Sequence, residues 1–390
     1  MPTDREYDVV LFGATGFTGG LTARYLAGHA PAGLRWALAG RDPARLAAVR
    51  DALAAIDPAH AGLPLLTADV TDPDSLRRIA EASRVVVSTV GPYQRYGEPL
   101  VAACARAGTD YADIAGEPEF VDLMYVRHHA EAVRTGARLV HACGFDSVPH
   151  DLGVYFTVRQ LPADVPLTVA GYVRAGARFS AGTYRSALGA IARRRETGAA
   201  AQARREVEPW PADRRVRAVP GRPGRVPVAD GWALPLPTID PQIVRRSAAA
   251  LDRYGPDFRY SHYAVFRRLP TVVAGVAGLG VLAALVRVPP ARDWLMGRSS
   301  PGQGPSAERR ARSWFTVRFV GTGGGRRVVT EVAGGDPGYD ETAKMLAETA
   351  LSLALDDLPP TAGQVTTAVA MGDALTDRLV RAGLDFRVVR

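Results

Sequence analysis

Three glycines spaced three apart mark the first place where this chain could do chemistry. They lie in the run Asp8-Val-Val-Leu-Phe-Gly13-Ala14-Thr15-Gly16-Phe17-Thr18-Gly19, between an apolar stretch and a stretch with helical spacing. Residues 9–12 read as a buried parallel strand, and residues 21–27 as a helix. A strand, a glycine turn and a helix in that order can cradle a pyrophosphate. Gly13 permits the tight turn, Gly16 lets the backbone approach the phosphates, and Gly19 lets helix and strand pack closely. Ala14, Thr15, Phe17 and Thr18 complete the loop, and the helix N-terminus adds free N–H groups and the positive end of its dipole. The spacing is a variant of the commoner G-x-G-x-x-G, and a dinucleotide site is expected here.

The next strand, residues 34–39, runs into Gly40-Arg41-Asp42. At this place a dinucleotide fold tests the adenosine ribose: an acidic residue accepts from a 2′-hydroxyl, whereas an arginine matches a 2′-phosphate. Arg41 comes first and points to NADP(H). Asp42 is its rival, although Asp42-Pro43 equally suits the cap and first position of a helix. A third strand ends in Asp69-Val70, which could hold the adenine or simply form a turn. A fourth, residues 84–90, carries Ser88 and runs into Gly91-Pro92-Tyr93. Ligands gather beyond the carboxyl ends of such strands, so Ser88, Gly91 and Pro92 are expected near the nicotinamide. Tyr93 is either a proton donor there or a ring packed beside the cofactor.

These residues need a scaffold, and the chain supplies one. Strand and helix patterns alternate with short connections up to a sixth strand at residues 138–142, which argues for a Rossmann-like, doubly wound parallel sheet. His128 and His129 fall within its helix 118–135 and read as surface or core residues. At 390 residues the chain is too long for one comfortable core, and a second domain is expected. No His, Cys or carboxylate cluster has zinc-like spacing, so no metal is expected. Two cysteines, Cys104 and Cys143, cannot form a disulfide framework and suit a reducing cytoplasm. The N-terminus lacks the apolar core of a secretory signal. Lys344 is the only lysine, so the net charge of +8 is carried by arginine.

The motifs together resemble the saccharopine dehydrogenase-like oxidoreductases, in the actinobacterial branch known as trans-acting enoyl reductases. The likeness rests on Gly13–Gly19, Ala39-Gly-Arg41, Thr89-Val-Gly-Pro-Tyr93 and Tyr111-Ala-Asp-Ile-Ala-Gly-Glu117. More specific are Cys143-Gly-Phe-Asp-Ser-Val-Pro-His-Asp-Leu-Gly153, the stretch 334–348 and Ala370-Met-Gly-Asp-Ala-Leu375. The chain departs from the pattern at residues 180–186, where two glycines and smaller side chains would be expected. The resemblance implies NADP(H) and a reductase role in lipid assembly. It also implies a last helix, within 366–390, that returns to the nucleotide domain.

The second half is expected to be a mixed α+β substrate domain, residues 151–365, following a nucleotide domain of residues 1–150. Asp146 and Ser147 read as helix caps, and the functional alternative places His150 or Asp146 at the cleft between the domains; His150 is the second candidate acid after Tyr93. A strand is expected at 167–173, helices at 181–194, 340–355 and 366–382, and a β-hairpin at 314–332 around Gly321–Gly325. Residues 193–225 hold ten arginines against four acids and read as a solvated loop. Trp210 is its only aromatic residue, so nucleic acid is not an expected partner. Residues 271–286 are uncharged but short of the ~20 that span a bilayer. They read as a buried element or as a membrane-surface segment, which would bring a cytoplasmic protein to the inner face of the plasma membrane.

The leading expectation is an NADPH-dependent reductase acting on the double bond of a lipid-linked or acyl thioester substrate, carried in one variant by an acyl carrier protein. A saccharopine-like amino-acid oxidoreductase would need paired arginines for substrate carboxylates, and the many arginines single out no such pair. A non-catalytic NADP-binding membrane adaptor is the third reading. The sequence leaves the oligomeric state open.

Overall fold

The computed structural model describes residues 5–176, 193–270 and 304–389, with Gly278 and Leu285 besides. The chain divides into two units. The first is Met1–Phe145 with Gly302–Gly304 and Tyr339–Ala382; the second is Asp146–Pro301 with Pro305–Gly338 and Gly383–Arg390.

The first unit opens with β1 (Tyr7–Phe12), α1 (Phe17–His29), β2 (Trp36–Gly40), α2 (Pro43–Ala54), β3 (Leu65–Thr67), α3 (Pro73–Ala82) and β4 (Ser83–Ser88). It continues with α4 (Tyr93–Tyr96), α5 (Glu98–Ala107), β5 (Asp110–Asp113), α6 (Pro118–Thr135) and β6 (Arg138–Val140). β1 and β2 are buried along their whole length, as strands covered on both faces must be. Local chemistry fixes the helix starts. Asp42 and Asp72 each precede a proline and accept backbone N–H groups of α2 and α3. α6 begins at Pro118 and closes at Gly136, whose φ of +83° is left-handed.

The second unit contains α7 (Val148–Val158), β7 (Leu167–Ala175), α8 (Arg194–Val207), β8 (Arg215–Ala218), β9 (Gly224–Val226) and β10 (Gly231–Pro235). After α9 (Asp240–Ala250), β11 (Asp257–Phe266) and α10 (Ala307–Ala311) come β12 (Phe315–Gly323) and β13 (Arg326–Gly334). β12 and β13 form an antiparallel hairpin, β7 pairs antiparallel with β12, and β11 runs parallel to both β7 and β8. The sheet is therefore mixed. α7 packs on it so closely that a Cβ at Gly153 would fall 2.4 Å from the Phe319 ring.

The chain then returns to the first unit as α11 (Asp340–Leu355), β14 (Gly363–Val365), α12 (Thr367–Ala370) and α13 (Gly372–Arg381), and ends on β15 (Asp385–Val388) in the second. With β14 added, the first sheet has seven parallel strands in the order β14-β6-β5-β4-β1-β2-β3. The order reverses between β1 and β4, which places a crevice at their carboxyl ends.

Several expectations are corrected. Residues 340–355 belong to the first unit, because α11 packs across α1, β1, β4 and β5. The segment 366–390 does not return as a whole: β15 pairs with β13 in the second sheet. The helix expected over 366–382 breaks at Met371–Gly372 into α12 and α13. Residues 193–225 are not a loop, for they hold α8, β8 and β9. α8 is a proline-free run whose Arg204 is buried against Glu208, 2.5 Å away, while Arg246 approaches the same carboxylate at 3.0 Å. The motif at 180–186 and most of the helix expected at 181–194 lie outside the described residues. So does the apolar stretch 271–286, apart from Gly278 and Leu285. Among the described residues no helix is long and apolar enough to cross a membrane.

Candidate functional site

The turn between β1 and α1 is shaped by contacts that exclude side chains. Gly13 has φ +93° and donates its N–H to the Ala39 carbonyl at 2.9 Å. A Cβ at Gly13 would fall 2.7 Å from both Thr89 Oγ1 and Val90 Cγ2. At Gly16 a Cβ would meet only the Gly13 carbonyl oxygen, at 3.3 Å, so this glycine leaves its outer side open. Gly16 is also the N-cap of α1 and offers no side-chain acceptor. The first-turn amides are thereby left to an external anion such as a pyrophosphate. Thr89 Oγ1 donates to the Gly13 carbonyl at 3.1 Å and ties the end of β4 to this turn. Ala14 is buried beneath it, while Thr15, Phe17 and Thr18 are half-buried. Phe17 meets Tyr339 edge-on, with ring centroids 5.0 Å apart.

At the end of β2 the two rivals separate. Asp42 caps α2, accepting from the Arg45 N–H at 3.1 Å. Arg41 is exposed beside it and suits a 2′-phosphate. Asp69 also forms a turn: its carboxylate accepts from the Thr71 N–H at 2.8 Å and the Thr71 hydroxyl at 2.7 Å. The Thr71 N–H foremost, and Arg41 more weakly, hold that carboxyl below its ordinary value. Val70 lies half-buried next to it.

Beyond β4, Ser88 is buried and its Oγ accepts from the Val90 N–H at 3.4 Å. Gly91 and Pro92 are exposed and joined by a cis bond. The Tyr93 hydroxyl donates to the Ser88 carbonyl at 2.8 Å and accepts from the Ile114 N–H at 3.4 Å. Burial, with Asp113 adding to it, raises its proton affinity well above that of free tyrosine. Of the two readings of Tyr93, this geometry favours the packed ring, which braces the ends of β4 and β5.

Two carboxyl-end residues escaped the sequence reading. Asp113, at the end of β5, accepts His141 Nδ1 at 2.7 Å on one oxygen and the Ala115 and Ala142 N–H groups at 3.0 and 3.2 Å on the other. Both side chains are buried. The pair fixes the turns after β5 and β6, the loops that border a nucleotide in this fold. A histidine closing an apolar strand, Leu139-Val-His141, was the available signal. Next to it, a Cβ at Gly144 would fall 2.8 Å from Thr342 Cγ2, and the Phe145 N–H donates to Thr342 Oγ1 at 3.1 Å. Two motifs two hundred residues apart in sequence thus interlock in the first unit.

His150 belongs to the second unit, near the start of α7. Its Nδ1 lies 3.1 Å from Asp240 Oδ1, and its ring meets His262 edge-on at 4.9 Å. Ser147 occupies the N-cap position but makes no cap; its hydroxyl turns to Asp240 at 3.4 Å. Burial pushes the Asp240 carboxyl up, but His150 and then His262 outweigh it and hold it well below its usual range.

The parallel sheet and the glycine cradle at its switch point define a dinucleotide-binding fold. A family profile for the saccharopine dehydrogenase NADP-binding domain matches residues 9–140. A Mycobacterium tuberculosis chain whose name places it among the trans-acting enoyl reductases is 41% identical over 421 residues, covering 100% of this chain and 99% of its own. A trans-acting enoyl reductase of Mycobacterium ulcerans is 37% identical over 415 residues, covering 97% of each. The apo saccharopine dehydrogenase (L-Glu forming) of Saccharomyces cerevisiae shares the fold, with a TM-score of 0.55 at 14% identity over 98% of this chain and 99% of its own. The chain belongs to the saccharopine dehydrogenase-like oxidoreductases, in the trans-acting enoyl reductase branch, and is an NADPH-dependent reductase.

Proposed function

We propose that this reductase saturates the enoyl group of a lipid- or polyketide-derived acyl intermediate in (glyco)lipid assembly. The observation that carries the reading is the match to trans-acting enoyl reductases along nearly the full length of both chains. Bound NADPH would supply a hydride for the β-carbon of the unsaturated thioester. The chain's part is to hold that cofactor: amides of the Gly13–Gly19 turn take the pyrophosphate, and Arg41 takes the 2′-phosphate.

The acyl group is proposed to arrive on an acidic carrier protein. Supporting this are the exposed arginines 194, 195 and 205 of α8 and Arg215 of β8, which face solvent. Opposite charge of this kind steers encounter. Contact with the inner face of the plasma membrane through residues 271–286 is the companion proposal. Flotation with anionic vesicles tests it, and protein left wholly unbound would refute it.

The deciding experiment follows NADPH consumption with three substrates: a carrier-bound enoyl thioester, a small enoyl thioester, and an amino acid mixed with a keto acid. Consumption with the enoyl thioesters supports the proposal. Turnover with the amino-acid mixture alone would move the enzyme to saccharopine-like chemistry. NADPH binding without turnover of any of them would mark a cofactor-binding adaptor instead.

A further inference from the structure

We propose that His150, Asp240 and His262 form a binding site for a zinc ion within the second unit, independent of the substrate reading above. The three side chains come from the start of α7, the start of α9 and the middle of β11, and all three are buried. Each offers one ligand atom, and these atoms lie within 4.8 Å of one another.

The spacing fits an ion. Ligands ~2.0–2.1 Å from a tetrahedral zinc sit ~3.3 Å apart along the edges of the tetrahedron. His150 Nδ1 is 3.1 Å from Asp240 Oδ1, and His262 Nε2 is 3.4 Å from Asp240 Oδ2. His262 Nε2 is buried, faces Asp240 Oδ2 at 3.4 Å and makes no hydrogen bond.

The surroundings match what metal ligands require. A ligating histidine usually donates its second ring N–H to an outer partner, and His262 Nδ1 lies 2.9 Å from the Tyr260 hydroxyl. The Asp240 carboxylate is held in turn by the Thr238 hydroxyl and by the Ser147 hydroxyl at 3.4 Å. Charge points the same way. Among the described residues the ion pairs of Asp240 are to the two imidazoles alone, with no guanidinium or ammonium joining them. A carboxylate flanked by two imidazoles offers one anionic and two neutral donors, a set that zinc accepts. Two imidazole nitrogens and a carboxylate whose two oxygens each face one of them suit zinc among the common biological divalent ions.

The test uses the full-length protein with no tag and no chelator in purification. Elemental analysis and titration with Zn2+ should find one ion per chain, and Co2+ should give the intense visible band of a tetrahedral site. In the Co2+ form, two paramagnetically shifted imidazole N–H resonances should appear, a count that needs no variant. His262→Gln should abolish the band, and Tyr260→Phe should weaken Zn2+ binding about 10–100-fold through the lost outer partner. No bound metal and no Co2+ band in the wild type would overturn the proposal and leave a hydrogen-bonded triad. A band that survives His262→Gln unchanged would place the ion elsewhere and overturn it equally.

Discussion

Gly19 lies so close to Gly13 that a Cβ on Gly19 would fall 2.1 Å from the Gly13 carbonyl oxygen. That obstacle is backbone, which cannot swing aside as a side chain can. Gly19→Ala should therefore push α1 off the turn, costing about 1–3 kcal/mol of stability and weakening NADPH binding. Gly28, in the same helix, has nothing within 4 Å of its would-be Cβ. Gly28→Ala should be neutral or stabilise by about 0.4–1 kcal/mol. Denaturant melts of both variants check the pair, and equal effects would contradict the packing argument.

NADPH should bind more tightly than NADH because of Arg41. Arg41→Ala should remove most of that preference, about 1.5–3 kcal/mol for charge-assisted bonds to a phosphate. Asp42 stays on its capping duty in the variant, so NADH affinity should change little. Titrating both cofactors into both proteins measures this, and an unchanged affinity ratio would remove Arg41 from the site.

Tyr93→Phe separates bracing from catalysis. Loss of the hydroxyl leaves the buried Ser88 carbonyl without its donor, which should cost about 1–3 kcal/mol of stability. A bracing residue should leave kcat within a few-fold once the variant is folded. A fall of about 100-fold or more, with the melt barely moved, would instead make Tyr93 the proton donor.

Stability should fall as pH drops below about 6.5, in part through His128. Burial lowers the proton affinity of this imidazole below its ordinary 6.5, and Arg106 and Arg127 add to that against the opposing Glu98. The unfolded chain takes up a proton near 6.5 that the native state still refuses. The contribution is thus complete above 6.5 and erodes as pH falls toward the lower native value. His128→Gln, which keeps a donor for Glu98 Oε1, should flatten part of the slope in melts between about pH 7 and about pH 5. An unaltered slope would assign the effect to other groups.

The carrier proposal predicts a salt effect confined to one substrate. The Debye length is ~10 Å at 0.1 M, so rim charges act on association and fade with salt. Replacing Arg194, Arg195 and Arg205 with Ser should slow turnover of carrier-bound enoyl thioester and spare the small thioester and NADPH affinity. Arg204 and Arg214 are unsuitable, for the first is buried on Glu208 and the second pairs with Asp252. Equal salt dependence for both substrates would end the carrier reading.

Local signals wrote the nucleotide half plainly into the sequence. The helix 118–135 is legible to the residue because Pro118 and Gly136 are start and stop signals that need no tertiary help. The glycine turn is legible for the same reason. Elements whose existence depends on distant partners were not. β14 is three residues long and becomes a strand only by lying beside β6. α8 was hidden by arginines that look solvated until Glu208 is seen to bury one of them. The Asp113–His141 pair and the His150–Asp240–His262 cluster carry no spacing signature, since each is assembled from separate strands and helices. Asp42 and Asp69 show a different limit: one carboxylate can cap, turn or bind, and only its hydrogen bonds decide.

The return of α11 and β14 to the first unit sets a timetable for synthesis. A ribosome releases β1 to β6 early, but the seventh strand and the helix that covers β1, β4 and β5 emerge some two hundred residues later. At roughly 5–20 residues per second that interval is about 10–40 s. Throughout it the β6 edge presents unpaired backbone groups and the α11 side of the sheet lies uncovered, the features by which strands stick to neighbours. Soluble yield of this reductase is therefore governed by what shields the growing chain during that wait, and a fragment ending near residue 150 inherits the wait permanently.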